Sequence, residues 1–179
     1  MEILQDEQLS VRPATTSDSQ LLADWWNDGK VMAHAGFPDG VHTSAAEVAG
    51  KLTADSDETG RRLILMKETE AIGEMDYQIV AFGVAEIGIK ICREDLREKG
   101  YGRRFLTLLI DYLIAAGNQK IQLSTMIENK RAQHVYERLG FQQVATREAV
   151  WQGPTGIWHT AVYYELTAEK WLTQKITIE

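Results

Sequence analysis

The stretch that decides the fold runs from Arg97 to Ile114 and reads "REKGYGRRFLTLLIDYLI". It opens on charge and glycine, then continues with apolar residues at helical spacing. Phe105, Leu108, Leu109, Tyr112 and Leu113 fall on one side of that helix. A helix start exposes unpaired backbone N–H groups, and its dipole favours an anion. Gly100 and Gly102 allow close approach of a ligand to the backbone and angles closed to other residues. Arg97, Lys99, Arg103 and Arg104 add local positive charge, so a phosphate bound there gains charge-assisted hydrogen bonds. Two readings fit the spacing, a solvated basic turn and a phosphate cradle. Two common phosphate loops are excluded. No Gly-Lys-Ser or Gly-Lys-Thr occurs, and the third glycine of the dinucleotide fingerprint is replaced by Phe105.

Outward from this stretch, the pattern is mixed. On the N-terminal side, "AFGVAEIGIKIC" alternates as a strand, with Ala85, Ile87, Ile89 and Ile91 on one face. Glu86, Gly88, Lys90 and Cys92 take the other. Before it, "RRLILMK" and "TEAIGEMDYQIV" read as strands joined by a tight turn near Glu68 to Glu70. "LSVRPAT" is a short first strand that stops at Pro13. "TSDSQLLADWWND" reads as a helix capped by Thr16 or Ser17, with Asp18 in its first turn. "HAGFPDGVHTS" is a loop, and Ser44 ahead of Glu47 has capping-box spacing for a second short helix.

On the C-terminal side, "GNQKIQLSTM" is a stop followed by a strand. "ENKRAQHVYERLGF" is a helix ended by Gly140, with Ala132, Val135, Tyr136 and Leu139 on one stripe. "FQQVATREAVW" and "IWHTAVYYEL" are strands joined by the hairpin linker "QGPTG". The tail "TAEKWLTQKITIE" caps an edge or packs on the last strand. Strand, glycine loop, helix and strand in succession predict a parallel crossover. No repeat or linker divides the chain, so a single α/β domain over residues 1–179 is expected.

Composition narrows the function. Lys and Arg total 19 against 26 Asp and Glu, a formal charge of −7. That disfavours a nucleic-acid partner, which needs a basic face, and suits a cationic or neutral substrate better than an acidic one. Cys92 is the only cysteine, so an intrachain disulfide and a Cys-rich zinc site are excluded. No spacing suggests a metal site. No signal peptide and no membrane-length apolar run is read, so a cytoplasmic protein with no membrane partner is expected.

Arg97, Gly100 and Gly102 match the Arg/Gln-x-x-Gly-x-Gly/Ala signature of the GNAT N-acetyltransferase superfamily, and "RRFLTLLIDYL" resembles its signature helix. Asn129, Ala132, Tyr136, Gly140 and Phe141 resemble its second motif, Asn-x-x-Ala-x-x-x-Tyr-x-x-x-Gly-Phe. Within the superfamily the chain is most similar to the branch that includes the ribosomal-protein N-terminal acetyltransferases. The resemblance implies a GNAT-like, mostly antiparallel central sheet with a splayed parallel strand pair and flanking helices. It implies acetyl-CoA as co-substrate, held in the splay. Its pyrophosphate is expected on the backbone of Arg97, Glu98, Lys99, Gly100, Tyr101, Gly102 and Arg103. Ile89, Lys90 and Ile91 would pair with the pantetheine arm, joined by Asn129, and Arg131 would also bind the cofactor. Tyr136 would point its hydroxyl at the thioester sulfur.

The implied chemistry is direct attack of an amine on the thioester, which needs an acceptor for the amine's proton and a donor to the leaving thiolate. Tyr136 suits the donor role, although it also fits the apolar stripe of its helix. Glu86, on the strand leading into the glycine loop, is the preferred base. Glu74 and Asp76, two apart on the preceding strand, stand behind it, and paired carboxylates raise each other's proton affinity. A solvated outer sheet face explains all three equally simply. His34 and His159 are alternative proton relays. Trp25, Trp26, Phe37, Tyr77, Trp151 and Trp158 are candidate pocket walls or plain packing. The expected acceptor is a small cationic amine or a peptide N-terminus. Competing classes are a non-catalytic CoA-binding regulatory domain and a nucleic-acid module, the latter disfavoured by charge. The resemblance also implies a homodimer through the last two strands.

Overall fold

The computed structural model describes residues 4–176. In chain order the elements are β1 (Leu4–Asp6), β2 (Leu9–Pro13), α1 (Ser19–Asn27), α2 (Gly29–Met32), α3 (Ala45–Leu52), β3 (Gly60–Lys67), β4 (Glu70–Ala81) and β5 (Val84–Ile91). Then come α4 (Tyr101–Ala115), β6 (Lys120–Met126), α5 (Lys130–Arg138), β7 (Gln142–Gln152), β8 (Trp158–Thr167) and α6 (Ala168–Ile176). The strands form one eight-stranded sheet in the order β1-β2-β3-β4-β5-β6-β8-β7.

Every neighbouring pair is antiparallel except β5 and β6. Those two run parallel and pair only from Val84–Glu86 to Lys120–Gln122. Beyond that point β5 stays on β4 as far as Ile91, while β6 stays on β8 as far as Met126. The sheet therefore opens into a V between them, as expected for the splayed parallel pair. The crossover from one strand to the other is α4, the helix of the opening stretch.

One sheet face packs on α4 and α5. Phe105, Leu106, Leu109, Ile110 and Leu113 are fully buried there against Leu63, Met75, Tyr77 and Ile87. The expected stripe is thus rotated. Leu108 and Tyr112 are half-buried, and Leu106 and Ile110 take their places, because a helix lying across a twisted sheet buries a wide band rather than a narrow seam. The other face packs on α1 and α3 through Leu22, Trp26, Val48, Ile64 and Cys92.

Several local expectations change. Neither Thr16 nor Ser17 caps α1: its N-cap is Asp18, and Thr15 caps the 3-10 turn that leads into it. The Thr15 backbone N–H donates to Asp18 Oδ2 at 2.8 Å, across that turn, Thr16–Asp18. Asp18 is held further by Arg12, at 2.7 Å to Oδ1. A 3-10 turn over Ala33–Ala35 extends helical backbone into the start of the expected loop. The capping box at Ser44 and Glu47 forms as read. β1, too short and polar for a periodic signal, adds an edge strand. The tail folds as α6, pinned by buried Trp171, whose Nε1 donates to Asp111 Oδ1 at 2.7 Å. The end of the tail, residues 177–179, lies outside the described residues.

Candidate active site

The V opens into a cleft of about 700 Å³, bounded by β5, the start of α4, β6 and α5. Past Glu86, β5 has no strand on its β6 side, so its backbone is free to pair with an extended ligand. The chain leaves β5 through a 3-10 turn over Glu94–Leu96 and enters α4 at Gly100, whose φ of 81° is left-handed. Only glycine takes that conformation without strain. The first-turn N–H groups of Tyr101, Gly102 and Arg103 have no intrahelical acceptor. Gly102 keeps ordinary helical angles, and nothing lies within 4 Å of where its Cβ would stand. The helix start is thus bare toward the cleft, the opening a phosphate needs.

Side chains frame this end. Arg97 Nε donates to the Ile91 carbonyl at 3.1 Å, which holds its guanidinium over the end of β5. Arg131 Nη1 donates to Glu98 Oε1 at 2.6 Å. Every residue expected to hold the cofactor lines the cleft except Lys99 and Tyr101. Lys99 extends into solvent, and the Tyr101 ring turns toward Lys67, 6.0 Å away. Asn129 caps α5 by accepting from the Ala132 N–H at 3.2 Å, which occupies its Oδ1 and leaves its amide NH₂ for a ligand.

Tyr136 reaches the cleft from α5 and is only 7 % exposed. Its ring sits edge-on to Tyr164 at 5.7 Å and tilted to Phe141 at 6.1 Å. Burial, with a smaller contribution from Tyr164, pushes the phenol up to about 12. At neutral pH it is a protonated donor.

The three candidate carboxylates separate sharply. Pairing of β4 with β5 sets Glu74 opposite Lys90, Asp76 opposite Gly88 and Gln78 opposite Glu86. Glu74 is 2 % exposed and already saturated. It accepts from Trp26 Nε1 at 2.8 Å, Lys90 Nζ at 2.9 Å and Arg62 Nη1 at 3.1 Å. Burial alone would raise its pKa, but Lys90 and then Arg62 outweigh that and hold it below the usual range. It is a fixed anion inside a hub, outside the cleft lining, and not a free base. Glu86, the preferred base, is exposed, accepts from Gln122 Nε2 at 3.3 Å and does not line the cleft. It sits where β5 and β6 are still joined, below the opening of the V.

Asp76 does line the cleft. Its carboxylate lies over Gly88, where an added Cβ would stand 2.7 Å from Oδ1. Glycine at 88 therefore makes the room that Asp76 occupies. Asp76 is recessed in protein yet keeps 34 % of its side-chain surface open. Arg62 Nη1 stands 4.0 Å from it, beyond hydrogen-bond range. Enclosure raises its proton affinity, opposed by Arg62 and Lys90 and assisted by Glu74 and Glu86.

The far wall carries Phe37, Trp151, His34 and His159. His34 is exposed at the cleft rim, and partial desolvation, then Arg131 and Arg97, lowers its pKa. Of the other candidate walls, Trp26 belongs to the Glu74 hub, Tyr77 is buried under α4 and Trp158 is 58 % exposed outside this cleft. His134 and His42 are exposed. Cys92 is buried as a thiol, its pKa raised by burial and then Glu74, and offers no nucleophile. Among the described residues no His, Cys, Asp or Glu group is placed to hold a metal ion. No helix of the described residues is long and apolar enough to cross a membrane.

Residues 8–142 match the family model described as the acetyltransferase (GNAT) domain. The chain belongs to the GNAT acetyltransferase family. It is an acetyltransferase, with acetyl-CoA as the donor co-substrate. No curated protein sequence matches it. Solved GNAT structures do. Spermidine N-acetyltransferase from Vibrio cholerae, in complex with CoA and spermine, is 22% identical with a TM-score of 0.80, over 93% of this chain and 99% of that one. Ribosomal-protein-S5-alanine acetyltransferase from Vibrio fischeri is 16% identical with a TM-score of 0.79, over 96% and 99%. An aminoglycoside acetyltransferase in complex with coenzyme A is 22% identical with a TM-score of 0.75, over 93% and 99%. At such identities the likeness establishes the fold. The ribosomal-protein branch expected from the sequence is not favoured over the other two.

Proposed function

We propose that this GNAT domain acetylates a primary amine by direct attack in a ternary complex, with Asp76 as proton acceptor and Tyr136 as proton donor. The observation that carries the reading is their shared cleft. One recessed carboxylate and one buried phenol line the V into which the bare start of α4 faces. In this reading the N–H groups of the Gly100–Arg103 turn grip the diphosphate of acetyl-CoA, with Arg97 and Arg131 beside it. The free backbone of Ile89 to Ile91 and the Asn129 amide align the pantetheine arm. Acetyl-CoA supplies the activated acetyl group.

The chain's residues then handle two protons. Asp76, ionised, draws the ammonium of the acceptor into the cleft and takes one proton as the nitrogen becomes nucleophilic. The N–C bond forms and the C–S bond breaks. Tyr136 gives its proton to the departing thiolate and is reprotonated, through water, by the second proton that the acylated nitrogen sheds, while the proton held at Asp76 passes to solvent. A small amine is the acceptor class, and a homodimer through the exposed edge strand β7, which presents Val144 and Val150, belongs to the same reading.

Tyr136→Phe tests it. Thiol release from acetyl-CoA with an amine acceptor should fall roughly a hundredfold in kcat, the low end for a lost proton donor, while titration calorimetry shows unchanged acetyl-CoA affinity. Full turnover by the variant removes Tyr136 from the chemistry. Failure of the intact protein to take up acetyl-CoA or CoA overturns the whole reading.

A further inference from the structure

The cleft has a wall that the proton transfers leave unused. The rings of Phe37 and Trp151 stand 4.9 Å apart and tilted by 46°. Trp151 stacks on His159 at 5.1 Å and 22°. All three rings are half-buried, so each keeps an open surface, and all three line the cleft that holds Asp76 and Tyr136. Two glycines seat them. At Gly36, with φ of 87°, an added Cβ would stand 2.2 Å from the Trp151 ring. At Gly153 it would stand 2.9 Å from His159 Nε2. Any side chain at either position would push the rings apart, so the backbone itself is shaped around this wall.

Charge in the cleft points the same way. The chain as a whole is acidic, at −7, but the cleft is not. Its lining holds Lys90, Arg97, Arg103 and Arg131 against two carboxylates, Asp76 and Glu98. Glu98 is paired with Arg131 at 2.6 Å. Glu74, just behind, is consumed by Trp26, Lys90 and Arg62. Asp76 is thus the one cleft carboxylate with no cation in hydrogen-bond range, its nearest, Arg62, standing at 4.0 Å. A polyamine or an aminoglycoside carries further ammonium groups. With the guanidinium end taken by the diphosphate and Glu98 paired with Arg131, the cleft lining offers no second carboxylate for them, and an ammonium enclosed without a partner opposes binding. Cation–π attraction to the wall offers a partial substitute, but one face of Trp151 is covered by His159. An aromatic body packs on such a wall with no charge to satisfy.

Resting on the acetyltransferase reading above, we propose that the acceptor is a small monoamine. Its nitrogen meets Asp76, and its aromatic or planar apolar body packs against Phe37, Trp151 and His159. The test uses the full chain, acetyl-CoA and thiol release at one pH, with phenylethylamine, tryptamine, spermidine, kanamycin and a Lys-initiated peptide as probes. The arylalkyl amines should exceed the other three about tenfold or more in kcat/KM. Trp151→Ala should raise KM for tryptamine about tenfold and leave kcat and acetyl-CoA affinity nearly unchanged, with Trp151→Phe in between should the alanine variant fold poorly. Spermidine, kanamycin or the peptide matching the arylalkyl amines overturns this inference and leaves the transferase reading intact. Acetyl-CoA uptake by calorimetry on the same sample marks the difference, since its absence overturns both.

Discussion

At the residue scale, Glu74 and Asp76 show how two carboxylates two positions apart acquire opposite roles. They share a sheet face, and their separation is set by what stands opposite. Lys90 faces Glu74, and Gly88 faces Asp76. Glu74 is therefore neutralised and Asp76 is left open. The pair is coupled, so removing one charge retunes the other. Glu74→Gln leaves Lys90 and Arg62 without their anion. That should cost about 3 kcal/mol of stability at neutral pH, the low end for a broken buried pair because both cations are partly exposed. The sign follows from the lowered pKa of Glu74. Its contribution is present above the usual carboxylate range and lost as pH falls through the native value, so wild type and variant should converge in acid. Asp76 has the opposite shift and must be ionised to act, so kcat/KM with a fixed amine falls as pH drops through its raised pKa. Without Glu74, the like charge disappears and two cations turn toward Asp76. The acid limb of the pH–rate profile should move to lower pH. A purely structural Glu74 would lower activity without moving the limb. None of this partition is legible in "GEMDYQ". Alternation places both carboxylates on one face, but only the register against β5 says which meets a lysine and which a glycine. The preference for Glu86 fails for the same reason, since the sequence does not say where along β5 the V begins.

At the scale of elements, the start of α4 carries a separable claim. A solvated turn and a phosphate cradle both tolerate Gly100, because its left-handed angle demands glycine in either case. Gly102 distinguishes them. It lies inside the helix at ordinary angles with open space around it, so alanine meets neither strain nor a clash. Helix propensity alone then predicts a gain of up to about 1 kcal/mol for Gly102→Ala. If the bare backbone exists to admit a diphosphate, the same methyl group should weaken acetyl-CoA binding while the melting temperature rises. A variant that is more stable and binds equally well returns the loop to a plain turn. This element was readable because helix-start chemistry depends on a few adjacent residues. The same holds for the capping box at Ser44, the β7–β8 linker and the α5 stripe at Tyr136. Elements whose stability comes from elsewhere were not readable. α6 leaves two of its apolar residues, Leu172 and Ile176, exposed and is fixed by Trp171 reaching Asp111 on α4. Buried Gln133 ties α5 to the exit of β6 by donating to the Ile127 carbonyl at 2.9 Å and looks like a surface residue in the sequence.

At the scale of the whole molecule, two electrostatic descriptions of the chain disagree in sign. By composition it carries −7, which repels a polyanionic co-substrate. By geometry its cleft lining presents Lys90, Arg97, Arg103 and Arg131 against Asp76 and Glu98, with Glu74 behind the cleft paired to Lys90. Which description governs binding depends on distance. At ~0.1 M salt the Debye length is about 10 Å, so acidic residues scattered over the far surface are largely screened, while cleft cations within contact range are not. The local field should win. Acetyl-CoA affinity should then weaken with added salt, by roughly fivefold between ~0.05 M and ~0.5 M, because the attraction being screened is that of the cleft. Titration calorimetry across that range reads it directly. Were net charge in control, salt would screen a repulsion and tighten binding instead. The slope's sign therefore decides whether the fold has gathered, in one V-shaped opening, a positive site that the overall composition conceals.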